Sequence, residues 1–94
     1  MASHIIRTMK LLNKVSLYRS DIERIGAGYV SKTKAERCNY LIKEVKLLLG
    51  RSVSHFEEVA VEKIAGFPDG AADKTEVLMK VSLLREMLKN ASLP

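Results

Sequence analysis

Residues 54–70 read SHFEEVAVEKIAGFPDG, and the fold turns on whether the part before Gly66 winds into a helix. Ser54 and Glu57 stand three apart, the spacing of a capping box, in which the hydroxyl accepts from a free first-turn N–H and the glutamate reaches back. Phe56, Val59, Ala60 and Ile64 follow at helical intervals. Gly66 then closes the element, and GFPDG (66–70) sets Pro68 and Asp69 between two glycines, the composition of a turn. The spacing predicts a short helix over 55–65 followed by the most strongly marked loop of the chain.

Outward from that stretch the periodicity stays helical. Toward the C-terminus, Asp73 and Glu76 repeat the three-residue spacing, and Val77, Val81, Leu84, Leu88 and Ala91 recur every three or four residues. Leu78, Leu83 and Met87 broaden that stripe, giving a helix over 74–90 that is apolar on more than one side. Toward the N-terminus, Cys38, Leu41, Ile42, Val45, Leu48 and Leu49 form one face of a helix over 34–49, with Lys34, Arg37, Lys43, Glu44 and Lys46 largely opposite and Gly50 at its end. Leu11, Val15, Tyr18, Ile22 and Ile25 place a first helix at 4–26, with Ser20 and Glu23 leaving open a break into two. Between these two helices lies GAGYVSKT (26–33), where Gly26 and Gly28 end one helix and Thr33 with Glu36 caps the next.

With no stretch of strict alternation, the expected fold is all-α, one domain over 1–94, a compact bundle of four helices joined by short glycine-containing turns. The segment IKEVKLLLGRSVSHFEEVAV (42–61) resembles a helix-turn-helix motif: Gly50 falls at the turn, and Val45, Leu49, Phe56 and Val59 fall at its buried positions. It departs from that family at Lys46, where a small residue is usual, and at Arg51, where an apolar one is. The resemblance implies two helices crossing over a short turn. A role in DNA reading is opposed by Glu57, Glu58 and Glu62, which would face a polyanion from the reading helix.

Composition narrows the function classes. The chain has 94 residues, 47% of them hydrophobic and 29% charged, with five aromatics and no tryptophan; this is a globular balance, not that of a disordered chain. Its one cysteine, Cys38, allows no internal disulfide, and no apolar run reaches the ~18 residues of a membrane span. Without a recognisable signal peptide, a cytoplasmic, intracellular location is expected. The net charge of +5 is unevenly spread: residues 1–52 hold eleven Lys or Arg against four acids, and residues 53–94 hold five against seven. Such a basic half fits nucleic acid, an acidic protein, or the acidic half of the same fold or of a second copy.

Catalytic chemistry finds little support. GAGYVSKT lacks only the second glycine of a phosphate-binding loop, replaced by Ser31, but that loop needs a strand before it and here a helix is expected. His55 and Glu58 offer two metal ligands where three or four are needed, Cys38 sits on an apolar stripe, and His4 stands alone. No enzyme, metal or cofactor is expected. The expected function is a small non-catalytic protein–protein interaction module, an adaptor, regulator or inhibitor of the kind frequent among phage and mobile-element accessory proteins. It docks a protein, or a second copy as a homodimer, through an apolar helix face containing Leu47, Met79, Leu83 and Met87, beside an acidic face of Glu57, Glu58 and Glu62. The alternative is nucleic-acid binding through a basic patch of Arg7, Lys10, Lys14, Lys32, Lys34 and Arg37.

Overall fold

The computed structural model describes residues 2–91, except for the side chains of 2, 3 and 52. In chain order the elements are helix α1 (Ala2–Glu23), strand β1 (Tyr29–Ser31), helix α2 (Lys32–Leu49), a 3-10 turn (Gly50–Val53), strands β2 (Glu62–Ile64) and β3 (Phe67–Asp73), and helix α3 (Lys74–Ala91). The strands form one antiparallel sheet in the order β1-β3-β2. The protein is therefore mixed α/β, and the expected all-α four-helix bundle is wrong in three places: the helix over 55–65 does not form, residues 26–33 contain a strand, and the loop expected at 66–70 begins strand β3.

Each correction has a physical cause. Local bonding stops at two turn bonds, from the Ser54 N–H to the Arg51 carbonyl (3.2 Å) and from the Phe56 N–H to the Val53 carbonyl (3.0 Å); beyond them, residues 57–59 bond distant side chains instead of continuing a helix. The Asn39 amide donates to the Val59 carbonyl at 3.2 Å, and its oxygen accepts from the Val59 N–H at 2.8 Å. The Lys80 ammonium donates to the carbonyls of Glu57 (2.7 Å) and Glu58 (3.4 Å) and lies 5.5 Å over the Phe56 ring. Ser54 forms no capping box, its hydroxyl donating back to the Arg51 carbonyl at 3.1 Å. Without an α-helix over 54–61, the helix-turn-helix resemblance over 42–61 has no reading helix.

The stretch expected to be a loop is the hairpin and the central strand. Gly66, at φ +86, makes the turn between β2 and β3, a conformation open to glycine at little cost. Ile64 then pairs with Phe67 and Glu62 with Ala71, so β3 accommodates its extra residues in a bulge. Pro68 and Asp69 occupy that bulge, where the missing proline N–H breaks no ladder bond. Gly70, at φ +112, is buried against β2: a Cβ there would stand 2.8 Å from Val61 Cγ1.

Tyr29, Val30 and Ser31 pair with Asp73, Ala72 and Ala71, so GAGYVSKT spends its backbone groups on a sheet edge. The cap of α2 is Ser31, whose hydroxyl accepts from the Lys34 N–H at 3.5 Å, not Thr33. Neither Gly26 nor Gly28 takes a positive φ. α1, continuous past Ser20, is closed by Lys74, whose ammonium donates to the carbonyls of Glu23 and Ile25.

The helical stripes behave as their spacing requires. Leu11, Val15, Tyr18 and Ile22 of α1, Cys38, Leu41, Ile42 and Val45 of α2, and Val77, Val81, Leu84 and Leu88 of α3 are buried together, joined by Val30, Val59 and Ala72. α1 lies antiparallel to α3, with Arg19 Nε donating to Ser82 Oγ (2.9 Å) and Arg85 Nε to Ser16 Oγ (3.4 Å). No helix among the described residues is long and apolar enough to cross a membrane.

Candidate functional site

α2 crosses α1 in the opposite sense, bringing Arg7 beside Leu48 and Asp21 beside Thr33. Because Leu11, Val15, Tyr18 and Ile22 point to the core, the residues a fraction of a turn away form the edge of α1 next to α2. That edge carries Arg7, Lys10, Lys14, Leu17 and Asp21; Lys34, Arg37, Glu44 and Leu47 face it from α2. The two sets enclose a groove of two open depressions, about 310 and 400 Å³, with Lys14 lining both.

Charge in the groove is one-sided. Five cations face two carboxylates, Glu44 and Asp21, and the Lys14–Glu44 pair is long at 4.0 Å. Arg7, Lys10, Lys34 and Arg37 make no ion pair among the described residues; Arg37 instead lies 5.7 Å over the ring of exposed Tyr40. The groove is also partly apolar, with Leu17 63% and Leu47 85% exposed. Long aliphatic side chains left in water beside cations give the groove both a charged and an apolar means of recognition.

The structure thus gathers five of the six expected basic residues, Arg7, Lys10, Lys14, Lys34 and Arg37, while Lys32 lines neither depression. It separates the four apolar residues. Leu47 is in the groove, Met79 and Leu83 are exposed on α3, and Met87 is half-buried against the core. Glu57, Glu58 and Glu62 share no helical face: the first two lie in the extended segment, where Glu58 pairs with Lys43 at 3.6 Å, and Glu62 is in β2. Leu17 lies off the Leu11–Val15–Tyr18–Ile22 stripe, so periodicity alone gives no sign of its exposure, and Ile5, Ile6 and Met9 of α1 are exposed as well.

Potential reactive groups are held inert or apart. Cys38 is fully buried, and burial, outweighing the nearby Lys80 cation, pushes its thiol up to about 11. Burial first, and Cys38 second, raise the Tyr18 phenol far above its ordinary range; its hydroxyl donates to the Lys34 carbonyl. Among the described residues no three His, Cys, Asp or Glu side chains cluster to hold a metal. Comparison with family models, curated proteins and solved structures gave no match.

Proposed function

We propose that this protein is a small non-catalytic protein–protein interaction module, an adaptor, regulator or inhibitor that takes up an acidic partner surface in the α1–α2 groove. The observation that carries this reading is the convergence of five cations and two exposed leucines on one groove holding only two carboxylates. Rim cations of this kind speed encounter and select an acidic partner, while desolvated leucines supply affinity. The non-catalytic part of the reading rests on the burial of the one thiol and on the use of the phosphate-loop-like segment as a paired strand. A reduced, buried Cys38 suits an intracellular location.

Affinity capture of the tagged protein with mass spectrometry, with and without nuclease, tests the reading. Lys10→Glu with Lys14→Glu is expected to abolish capture, and Met79→Asp with Leu83→Asp, away from the groove, to leave it intact. Capture unaffected by the charge reversals refutes the groove. A second reading, nucleic-acid binding, is favoured by the Arg37 guanidinium lying over the ring of exposed Tyr40. It requires nuclease-sensitive capture and a log–log salt slope of about −4.5 if all five cations meet duplex phosphates at about −0.9 each.

A further inference from the structure

Resting on that reading, we infer that the occupant of the α1–α2 groove is an acidic amphipathic α-helix of a protein partner. Its leucine-like side chains would lie on Leu17 and Leu47, and its carboxylates would meet the flanking cations. From Arg7 to Asp21 the α1 edge rises over fourteen residue steps, about 21 Å and so about four turns of a docked helix. Arg7, Lys10 and Lys14 are spaced three and four apart along that edge, and Lys34 and Arg37 three apart across from it. Carboxylates at matching intervals on a third helix would face both rows at once.

The other occupants fit less well. A polyanionic strand has no use for two exposed leucines and meets Asp21 and Glu44 in the groove. Among its described residues a second copy of this chain brings no suitable helix. The outward faces of α1 and α2 are themselves basic, and on α3 the exposed Met79 and Leu83 are accompanied by one exposed acid, Glu86. Charge complementarity and exposed aliphatic surface are met together by an acidic, leucine-bearing helix, which recognises a groove through anchors at i, i+3, i+4 and i+7.

Fluorescence anisotropy with the full chain tests this. The probes are a labelled Leu/Glu peptide of about 16 residues with leucines at those intervals, a scrambled peptide of the same composition, and an oligothymidylate of about 20 nucleotides. The ordered peptide should bind at least about tenfold more tightly than the scrambled one and gain helical circular dichroism on binding. Leu47→Ser, and Leu17→Ser with Leu47→Ser, should weaken it at least about tenfold; both positions are exposed, so native melting curves will show that the fold persists. Equal binding of the two peptides, or loss in Lys10→Glu with Lys14→Glu but none in the leucine variants, overturns the helix while leaving an acidic partner surface in place. Binding of the oligonucleotide alone overturns it in favour of nucleic acid, and binding of no probe overturns it outright, whereas the proposed function falls if capture survives the charge reversals or is lost with nuclease.

Discussion

Asn39 should be among the most consequential single residues outside the apolar core. Its amide takes the place of a neighbouring strand, donating to one carbonyl and accepting from one N–H of Val59, which is itself 4% exposed. Asn39→Leu keeps the branched heavy-atom skeleton and removes both bonds, leaving a buried donor and a buried acceptor unpaired at about 1–3 kcal/mol each. Because Asn39 is half-exposed, water reaching its side of the contact trims the total to about 2–4 kcal/mol. In a domain this small that lowers the melting temperature by about 10–25 °C. Urea unfolding followed by circular dichroism should show a lower midpoint with an unchanged slope, and the Val59 amide should lose its hydrogen-exchange protection.

Asn39→Asp adds a pH signature. The carboxylate still accepts from the Val59 N–H but opposes the Val59 carbonyl, so its folded-state pKa lies above the unfolded value. The variant is then closest to the parent below the unfolded pKa, where the protonated acid can donate, and loses stability as pH rises through the folded one. A urea midpoint for Asn39→Leu indistinguishable from that of the parent would refute the whole reasoning, since residues 54–61 would then be held by something other than this clasp.

Three further outcomes follow from the same structure. Gly70→Ala should cost about 1–3 kcal/mol in urea unfolding, because a side chain at φ +112 is strained and its Cβ meets Val61 Cγ1. Asp73→Ala should cost about 1 kcal/mol, since the Asp73 carboxylate accepts from the N–H groups of Thr75 (2.8 Å) and Glu76 (3.3 Å) at the start of α3. Cys38 should resist a thiol reagent at pH 8 in the native protein and react on unfolding; with its folded thiol raised from 9.0 to about 11, the stability it contributes is whole below the unfolded value and is lost as pH rises through that window, measurable as a falling urea midpoint.

The three long helices were legible because their buried residues recur with helical period over eighteen or more positions, long enough for the pattern to outweigh local exceptions. β1 and β2 have three residues each, too few for alternation to register. β3 contains Pro68, Asp69 and Gly70, residue types that strands disfavour and that only the bulge accommodates. Val53, Phe56 and Val59 are buried or half-buried at three-residue intervals, imitating a helix, whereas the partners that hold the segment extended, Asn39 and Lys80, lie twenty or more residues away. The site was legible to the same extent: Arg7, Lys10 and Lys14 share a helical face on spacing alone, but only the packing of α2 against α1 decides that Lys34 and Arg37 join them and Lys32 does not.

The misread segment also accounts for the open groove. Residues two apart on a helix point about 200° away from each other, so Asn39 and Arg37 lie on opposite flanks of α2. The clasp at Asn39 draws residues 54–61 along one flank, where Glu58 pairs with Lys43 and the Glu57 carbonyl with Lys80. The Glu58 carboxylate is thus paired away from the α1–α2 edge, and among the described residues the groove's five cations have only Glu44 and Asp21 beside them. Charge complementarity between the two halves is therefore incomplete within the molecule. Exposed like charges on one groove repel, an effect that salt screens but does not remove. A bound acidic helix would relieve that repulsion while covering Leu17 and Leu47, so binding should raise the melting temperature most at low salt, and progressively less as salt screens its charged part.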